Sequence, residues 1–173
     1  NQKKNNFKNA VKFYNQILNK EPNHFQSIFN LGSLLLRVKN FVGAKELFEK
    51  AIKILPNHVA SYHNLGQALK ELGENNKAAI CFQKSIEIQP NFVASHNNLG
   101  IIKRELGKND EAVRCFQKSI EIQPNLIAAH NNLGIVYIAM KKHKDAIKCF
   151  KKAIQIDNKF SMAHYNLGKA FKE

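Results

Sequence analysis

The tripeptide Asn-Leu-Gly occurs five times, at Asn30-Leu31-Gly32, Asn64-Leu65-Gly66, Asn98-Leu99-Gly100, Asn132-Leu133-Gly134 and Asn166-Leu167-Gly168. Each copy follows the last by 34 residues, without slippage. A fixed period of this size marks a stack of like supersecondary units, each packing on its neighbours, rather than one globular core. With the Leu written as position 7, the complete units are 25–58, 59–92, 93–126 and 127–160. Residues 1–24 read as the back part of an earlier unit and 161–173 as the front part of a later one, so a single array over 1–173 is expected. The start at Asn1 and the mid-pattern ends read as a piece of a longer protein.

Other columns keep the same step. Position 20 is Ala10, Ala44, Ala78, Ala112 and Ala146, and position 24 is Tyr14, Phe48, Phe82, Phe116 and Phe150. Position 32 is Pro22, Pro56, Pro90 and Pro124, replaced once by Asn158; position 15 is Gly73 and Gly107, but Lys39 and Lys141 in the outer units. Within one unit Val59, Tyr62, Leu65, Leu69 and Leu72 step by three or four, which is one face of a helix. This helix, A, is expected from about His58 to Leu72, with Gly73 supplying the left-handed residue that closes it. A second helix, B, is expected from about Asn75 to Gln89, stopped by Pro90, with Asn91 placed to cap the next helix A. Small residues at positions 8, 20 and 27 let A and B approach closely, and the Leu and Phe columns fill the space beside the crossing.

An aromatic or His at position 4, Leu-Gly at 7 and 8, Ala at 20, Phe at 24, Ala or Ser at 27 and Pro at 32 together resemble the tetratricopeptide repeat family. The resemblance spans essentially the whole chain. It implies an all-α fold: an α-solenoid, a right-handed superhelix of stacked antiparallel helix pairs. Helices A then line a concave groove and helices B lie outside.

Few residues offer chemistry. Asp110, Asp145 and Asp157 are the only aspartates, and no Gly-rich phosphate loop, HExxH or nucleophile elbow occurs. No catalytic residue, metal site or cofactor is expected, and the protein is not read as an enzyme. His96, His130 and His164 share position 4 with Tyr62 and Ile28. Successive copies lie about two helix spacings apart, too far for one ion, so packing between helices is their expected role. His63 falls at position 5, and His24 and His58 fall in the joints. Cys81, Cys115 and Cys149 are also one period apart, which places them beyond disulfide reach and reads as reduced, small apolar filling. Reduced thiols point to the cytoplasm.

The position 6 column is asparagine in every copy: Asn30, Asn64, Asn98, Asn132 and Asn166. A carboxamide carries both an acceptor and a donor, which matches a peptide backbone. The resemblance puts this column on the concave wall, where it would hold an extended peptide. The other reading is that these side chains bond helix to helix or face water. The same wall is expected to carry His63, Asn97 and Asn131 at position 5, Gln67 at position 9, and Lys70 and Arg104 at position 12. An apolar patch is expected at Ile101, Ile135 and Ile138.

The leading expectation is therefore a protein-interaction scaffold that takes a protein or peptide partner, with no small-molecule substrate. An alternative comes from resemblance to the repeat arm of O-linked N-acetylglucosamine transferases: a substrate-recruiting arm of a larger group-transferase whose catalytic domain is not in this chain. The chain carries 27 Lys+Arg against 13 Asp+Glu, a formal charge of +14. That surplus fits an acidic partner or a Lys-, Asn- and Ile-rich composition. Nucleic acid is disfavoured, because only Arg37, Arg104 and Arg114 are arginines and no exposed aromatic strip is evident. No apolar run approaches the ~18 residues of a membrane span, and no membrane partner is expected. The helix over 5–22 with Phe7, Val11, Tyr14 and Leu18, and the helix over 161–172 with Ala163, Leu167, Ala170 and Phe171, are expected to lack cover and to self-associate head to tail.

Overall fold

The computed structural model describes residues 2–172, and among them ten α-helices and no strand. Residues 1–90 and 91–173 form two compact units, described in turn. The first holds α1 (Gln2–Lys20), α2 (Phe25–Arg37), α3 (Phe41–Ile54), α4 (Val59–Glu71) and α5 (Asn75–Ile88). The second holds α6 (Val93–Glu105), α7 (Asn109–Ile122), α8 (Ile127–Ala139), α9 (His143–Ile156) and α10 (Ser161–Ala170). Even-numbered helices are the A helices and odd-numbered ones the B helices. Within each unit every helix packs on its neighbours in sequence, and A helices also meet directly, α2 with α4, α6 with α8 and α8 with α10. The fold is an all-α solenoid of stacked helix pairs.

The crossing of A and B is a glycine under a phenyl ring. Phe48, Phe82 and Phe116 are fully buried and Phe150 is 1% exposed, while Ala44, Ala78, Ala112 and Ala146 are fully buried beside them. A methyl group built on Gly134 would sit 2.5 Å from Phe150 Cε1, and one on Gly66 would sit 2.8 Å from Phe82 Cε1. Any side chain here pushes the helices apart. Gly168 is the exception, with nothing within 4 Å of the same position.

Four of the five A helices, α2, α4, α6 and α8, close through a left-handed residue, whatever its type. Gly73 has φ 77° and Gly107 φ 73°, while Lys39 at 63° and Lys141 at 59° take the same conformation. The next amide then reaches back five residues, Glu74 N–H to Leu69 O at 2.9 Å and Lys142 N–H to Tyr137 O at 2.8 Å. The missing glycines therefore leave the turn intact; the two lysines bear about 1–2 kcal/mol of steric cost instead.

The joint from B to A corrects the expected cap. Asn91 lies one residue ahead of the true N-cap, Phe92. In the equivalent joint of the first unit, Leu55 O accepts from His58 N–H at 3.2 Å, closing a four-residue turn. Pro56 and Asn57 occupy its two central places, which suit those residue types. The cap role passes to the next residue. His24 Nδ1 accepts from Ser27 N–H at 3.3 Å and His58 Nδ1 from Ser61 N–H at 3.2 Å. Where proline gives way to Asn158, Asp157 Oδ1 accepts from Lys159 N–H at 2.9 Å and shapes the joint.

The end helices also differ from expectation. Ala163 is fully buried and Ala170 is 3% exposed, both covered within the second unit, so neither belongs to an open face. Phe171 is 63% exposed, and Leu167 is half-buried where Leu133 is 6% exposed.

The glycine contrast predicts opposite signs for one substitution. Gly134→Ala is expected to destabilise by roughly 1–3 kcal/mol through overpacking against Phe150. Gly168→Ala is expected to stabilise by about 0.5–1 kcal/mol through helix propensity alone. Urea unfolding of both variants checks this.

Candidate functional site

Position 6 follows from the packing register. Leu at position 7 points at helix B, so the residue before it, turned ~100° round the helix, points along the row of A helices. All five asparagines of the column are half-buried. Three of them, Asn64, Asn132 and Asn166, bond to the neighbouring A helix, and Asn30 bonds within its own. In the first unit Asn64 Nδ2 donates to Ser33 Oγ at 3.4 Å, and Asn30 Oδ1 accepts from Gln26 Nε2 at 3.0 Å. In the second, Asn132 Nδ2 donates to Asn97 Oδ1 at 3.4 Å and Asn166 Nδ2 to Asn131 Oδ1 at 2.9 Å. The helix-to-helix bonds are present at Asn64, Asn132 and Asn166. Three carboxamides are held by their NH₂ groups, and their oxygens take no part in those bonds.

Position 5 is less open than expected. His63 is 7% exposed, with its ring 5.6 Å from that of Phe82, and Asn131 is 6% exposed beneath Asn166. Both are largely spent in packing, His63 beside the ring of Phe82 from α5 and Asn131 beneath Asn166 from α10. Asn97, Gln67, Lys70 and Arg104 remain half-buried, and Lys70 Nζ lies 3.4 Å from the Glu71 carboxylate. The apolar patch is corrected as well. Ile101 packs on the Phe116–Leu133 cluster, and Ile135 and Ile138 pack on the Ala146–Phe150 cluster, so all three are half-spent in packing.

The position 4 histidines have a role that ring packing alone did not suggest. His130 Nε2 bonds the carbonyl of Pro124 at 2.9 Å, and His164 Nε2 bonds that of Asn158 at 2.9 Å. The ring donates, tying helix A to the joint before it. The carbonyl met is the one at position 32 in each case, Pro124 in one joint and Asn158 in the other. Position 3 was also missed. Ser61 and Ser95 are fully buried and Ser27 is 2% exposed, as closely packed as the alanines at position 20.

Burial pushes the thiols of Cys81, Cys115 and Cys149 up to about 11, so they stay protonated and weakly nucleophilic. All three are free thiols. Among the described residues no group of three or more His, Cys, Asp or Glu is arranged to hold a metal ion. None of the described helices is long and apolar enough to cross a membrane.

A tetratricopeptide repeat model matches residues 24–91 and 92–159. The chain belongs to the tetratricopeptide repeat family. Among solved structures it is similar to MamA, with 25% identity over 92% of this chain and 94% of that one and a TM-score of 0.86. MamA from Desulfovibrio magneticus RS-1 aligns at 19% identity over 92% and 90% of the two chains, with a TM-score of 0.84. YrrB, described as a TPR protein with an unusual peptide-binding site, aligns at 23% identity over 95% and 84%, with a TM-score of 0.81. No curated protein gives a significant match.

His63, buried, and His58, half-buried, predict an acid-sensitive first unit. Burial lowers His63 to about 4, and burial lowers His58 as well, while His58 Nδ1 must stay unprotonated to cap α4. Both folded values lie below the unfolded one. Their stabilisation is therefore present above pH ~6.5 and is lost as the pH falls toward the folded value, on the order of 3 kcal/mol for His63. Melting of the wild type is expected to drop between pH 7 and pH ~4, and His63→Leu to flatten most of that drop.

Proposed function

We propose that the protein is an interaction scaffold whose row of A helices holds an extended peptide, with the position 6 carboxamides as its hydrogen-bonding rungs. One observation carries this reading. Asn132 and Asn166 are fixed through Nδ2 to the neighbouring helix, which leaves Oδ1 outside that bond and oriented in advance. A peptide N–H is a fitting donor for it. An extended strand advances ~3.3 Å per residue, so rungs one repeat apart meet roughly every third peptide unit. The reading extends to the equivalent Asn98 in residues 91–173 and Asn30 and Asn64 in residues 1–90, with Asn97, Gln67, Lys70 and Arg104 as neighbouring contacts. His63 and Asn131 support the rungs from behind. On this reading the 34-residue repeats from 25 to 160 act as one array, and the scaffold carries no catalysis of its own. The test is a double variant, Asn98→Ala with Asn132→Ala, titrated calorimetrically with a peptide shown to bind the wild type. Each lost bond is expected to weaken binding by ~0.5–1.5 kcal/mol while the helical content stays unchanged. Equal affinity in the variant would overturn the rungs.

A second interaction follows from Gly168, whose upper side lies open where Gly134 is covered by Phe150. In α1 the matching B-side residues Ala10 and Tyr14 are half-exposed, whereas Ala146 and Phe150 are buried. The α10 of one copy and the α1 of another together supply one Gly–aromatic crossing, so this 173-residue chain is proposed to associate head to tail. Both ends are lysine-rich, so the contact is expected to strengthen as salt screens their repulsion. Sedimentation across concentration and salt checks it. Association that persists in a Tyr14→Lys, Gly168→Glu variant would overturn it.

A further inference from the structure

The surplus charge is not spread evenly along the helices. Residues 59–92 hold three lysines and three glutamates, whereas residues 141–152 hold six lysines and one acid, Asp145. Comparing equivalent positions shows what α9 has lost. In α5 Lys84 Nζ lies 2.7 Å from the Glu87 carboxylate, and in α7 Lys118 Nζ lies 2.7 Å from that of Glu121. In α9 the same pair is Lys152 and Gln155, and Lys152 Nζ reaches only the amide oxygen, at 3.2 Å. The first turn of α7 carries Asp110 and Glu111; that of α9 carries Asp145 alone, 3.7 Å from Lys148. Lys142 is the N-cap of α9 and Lys144 follows in its first turn. A helix N-terminus disfavours cations, so these lysines do not serve the helix. Lys141, Lys142, Lys144, Lys148, Lys151 and Lys152 are all exposed.

We infer that the outer face of α9 is a docking surface for an acidic protein segment, whose carboxylates take the place of the glutamates that α5 and α7 carry themselves. This is independent of the peptide reading, because it uses a B helix and none of the carboxamide column. The chemistry of the face selects carboxylate over other anions. None of the six residues is arginine, whose planar fork is the group that matches phosphate. Phe171, 63% exposed with Lys151 Nζ 6.0 Å from its ring centre, is one aromatic ring and not a stacking platform for bases. The apolar side of α9 is spent inside the fold, with Ala146, Phe150 and Ala153 buried, so the helix has no free apolar face to lay into a lipid surface.

The test uses the full chain and three labelled probes: a Glu-rich peptide, a single-stranded oligonucleotide of equal charge, and vesicles containing phosphatidylserine. The peptide is expected to bind best, with an affinity that falls as salt rises. Lys144→Gln with Lys151→Gln and Lys152→Gln is expected to weaken it about tenfold, from three surface ion pairs of ordinary strength. Gln155→Glu alone restores a partner within the helix and is expected to weaken it about twofold. Peptide affinity unmoved by both variants would overturn the proposal. So would tighter binding of the oligonucleotide or the vesicles than of the peptide.

Discussion

The stack depends on a glycine that lies under a phenyl ring. With no Cβ at Gly66, Gly100 or Gly134, a buried Phe from helix B can sit against the backbone of helix A, closer than any side chain would permit. That closeness fixes how each helix A is turned about its axis. Once Leu65 or Leu99 points at helix B, the asparagine before it has one direction left, along the row of A helices. The candidate site is thus a consequence of the packing register. Its geometry holds only as long as the crossings beneath it do.

Much of this was legible in the chain, because a strict period turns each column into a repeated measurement. The helix pairs, their ends and the Ala–Phe–Gly core all follow from residue type at fixed offsets. What the columns could not supply is distance between neighbouring helices. His63 and Asn131 look like polar wall residues on a helical wheel, but the ring of Phe82 from α5 lies beside one and Asn166 from α10 lies on the other. The joint failed for a local reason. Asn57 looks like a helix cap, but a proline turn occupies two residues, which moves the cap to His58. Lys39 and Lys141 look like defects in a glycine column, yet both turn left-handed, and the amide after each closes the helix on Leu35 O or Tyr137 O. Closing the helix end outweighs a local preference of ~1–2 kcal/mol.

Hydrogen bonding between helices and recognition of a peptide need not compete for the same carboxamide. Asn offers two donors and two acceptor sites. A bond through Nδ2 uses the donor end, as in Asn166 to Asn131. It also removes the rotational freedom that a ligand would otherwise have to freeze, which costs roughly 0.5–1.5 kcal/mol per mobile side chain. A row of pinned carboxamides therefore loses less on binding than a row of free ones. The same pinning explains why asparagine rather than glutamine suits the position: its shorter stem leaves one torsion fewer to fix.

The histidines divide into two groups by the direction of their hydrogen bonds. His58 caps α4 through Nδ1 as an acceptor, wedged between Phe25 and Phe29 at 4.9 Å from each ring, and a proton on that nitrogen destroys the cap. It would also set a positive charge at a helix N-terminus, where cations are disfavoured. His130 and His164 instead donate through Nε2 to a joint carbonyl. One residue type thus serves as an accepting cap at His58 and as a donating tie at His130 and His164. The difference lies in which ring nitrogen the backbone meets. A histidine just before helix A meets an N–H, whereas one a turn inside it meets the carbonyl of the preceding joint.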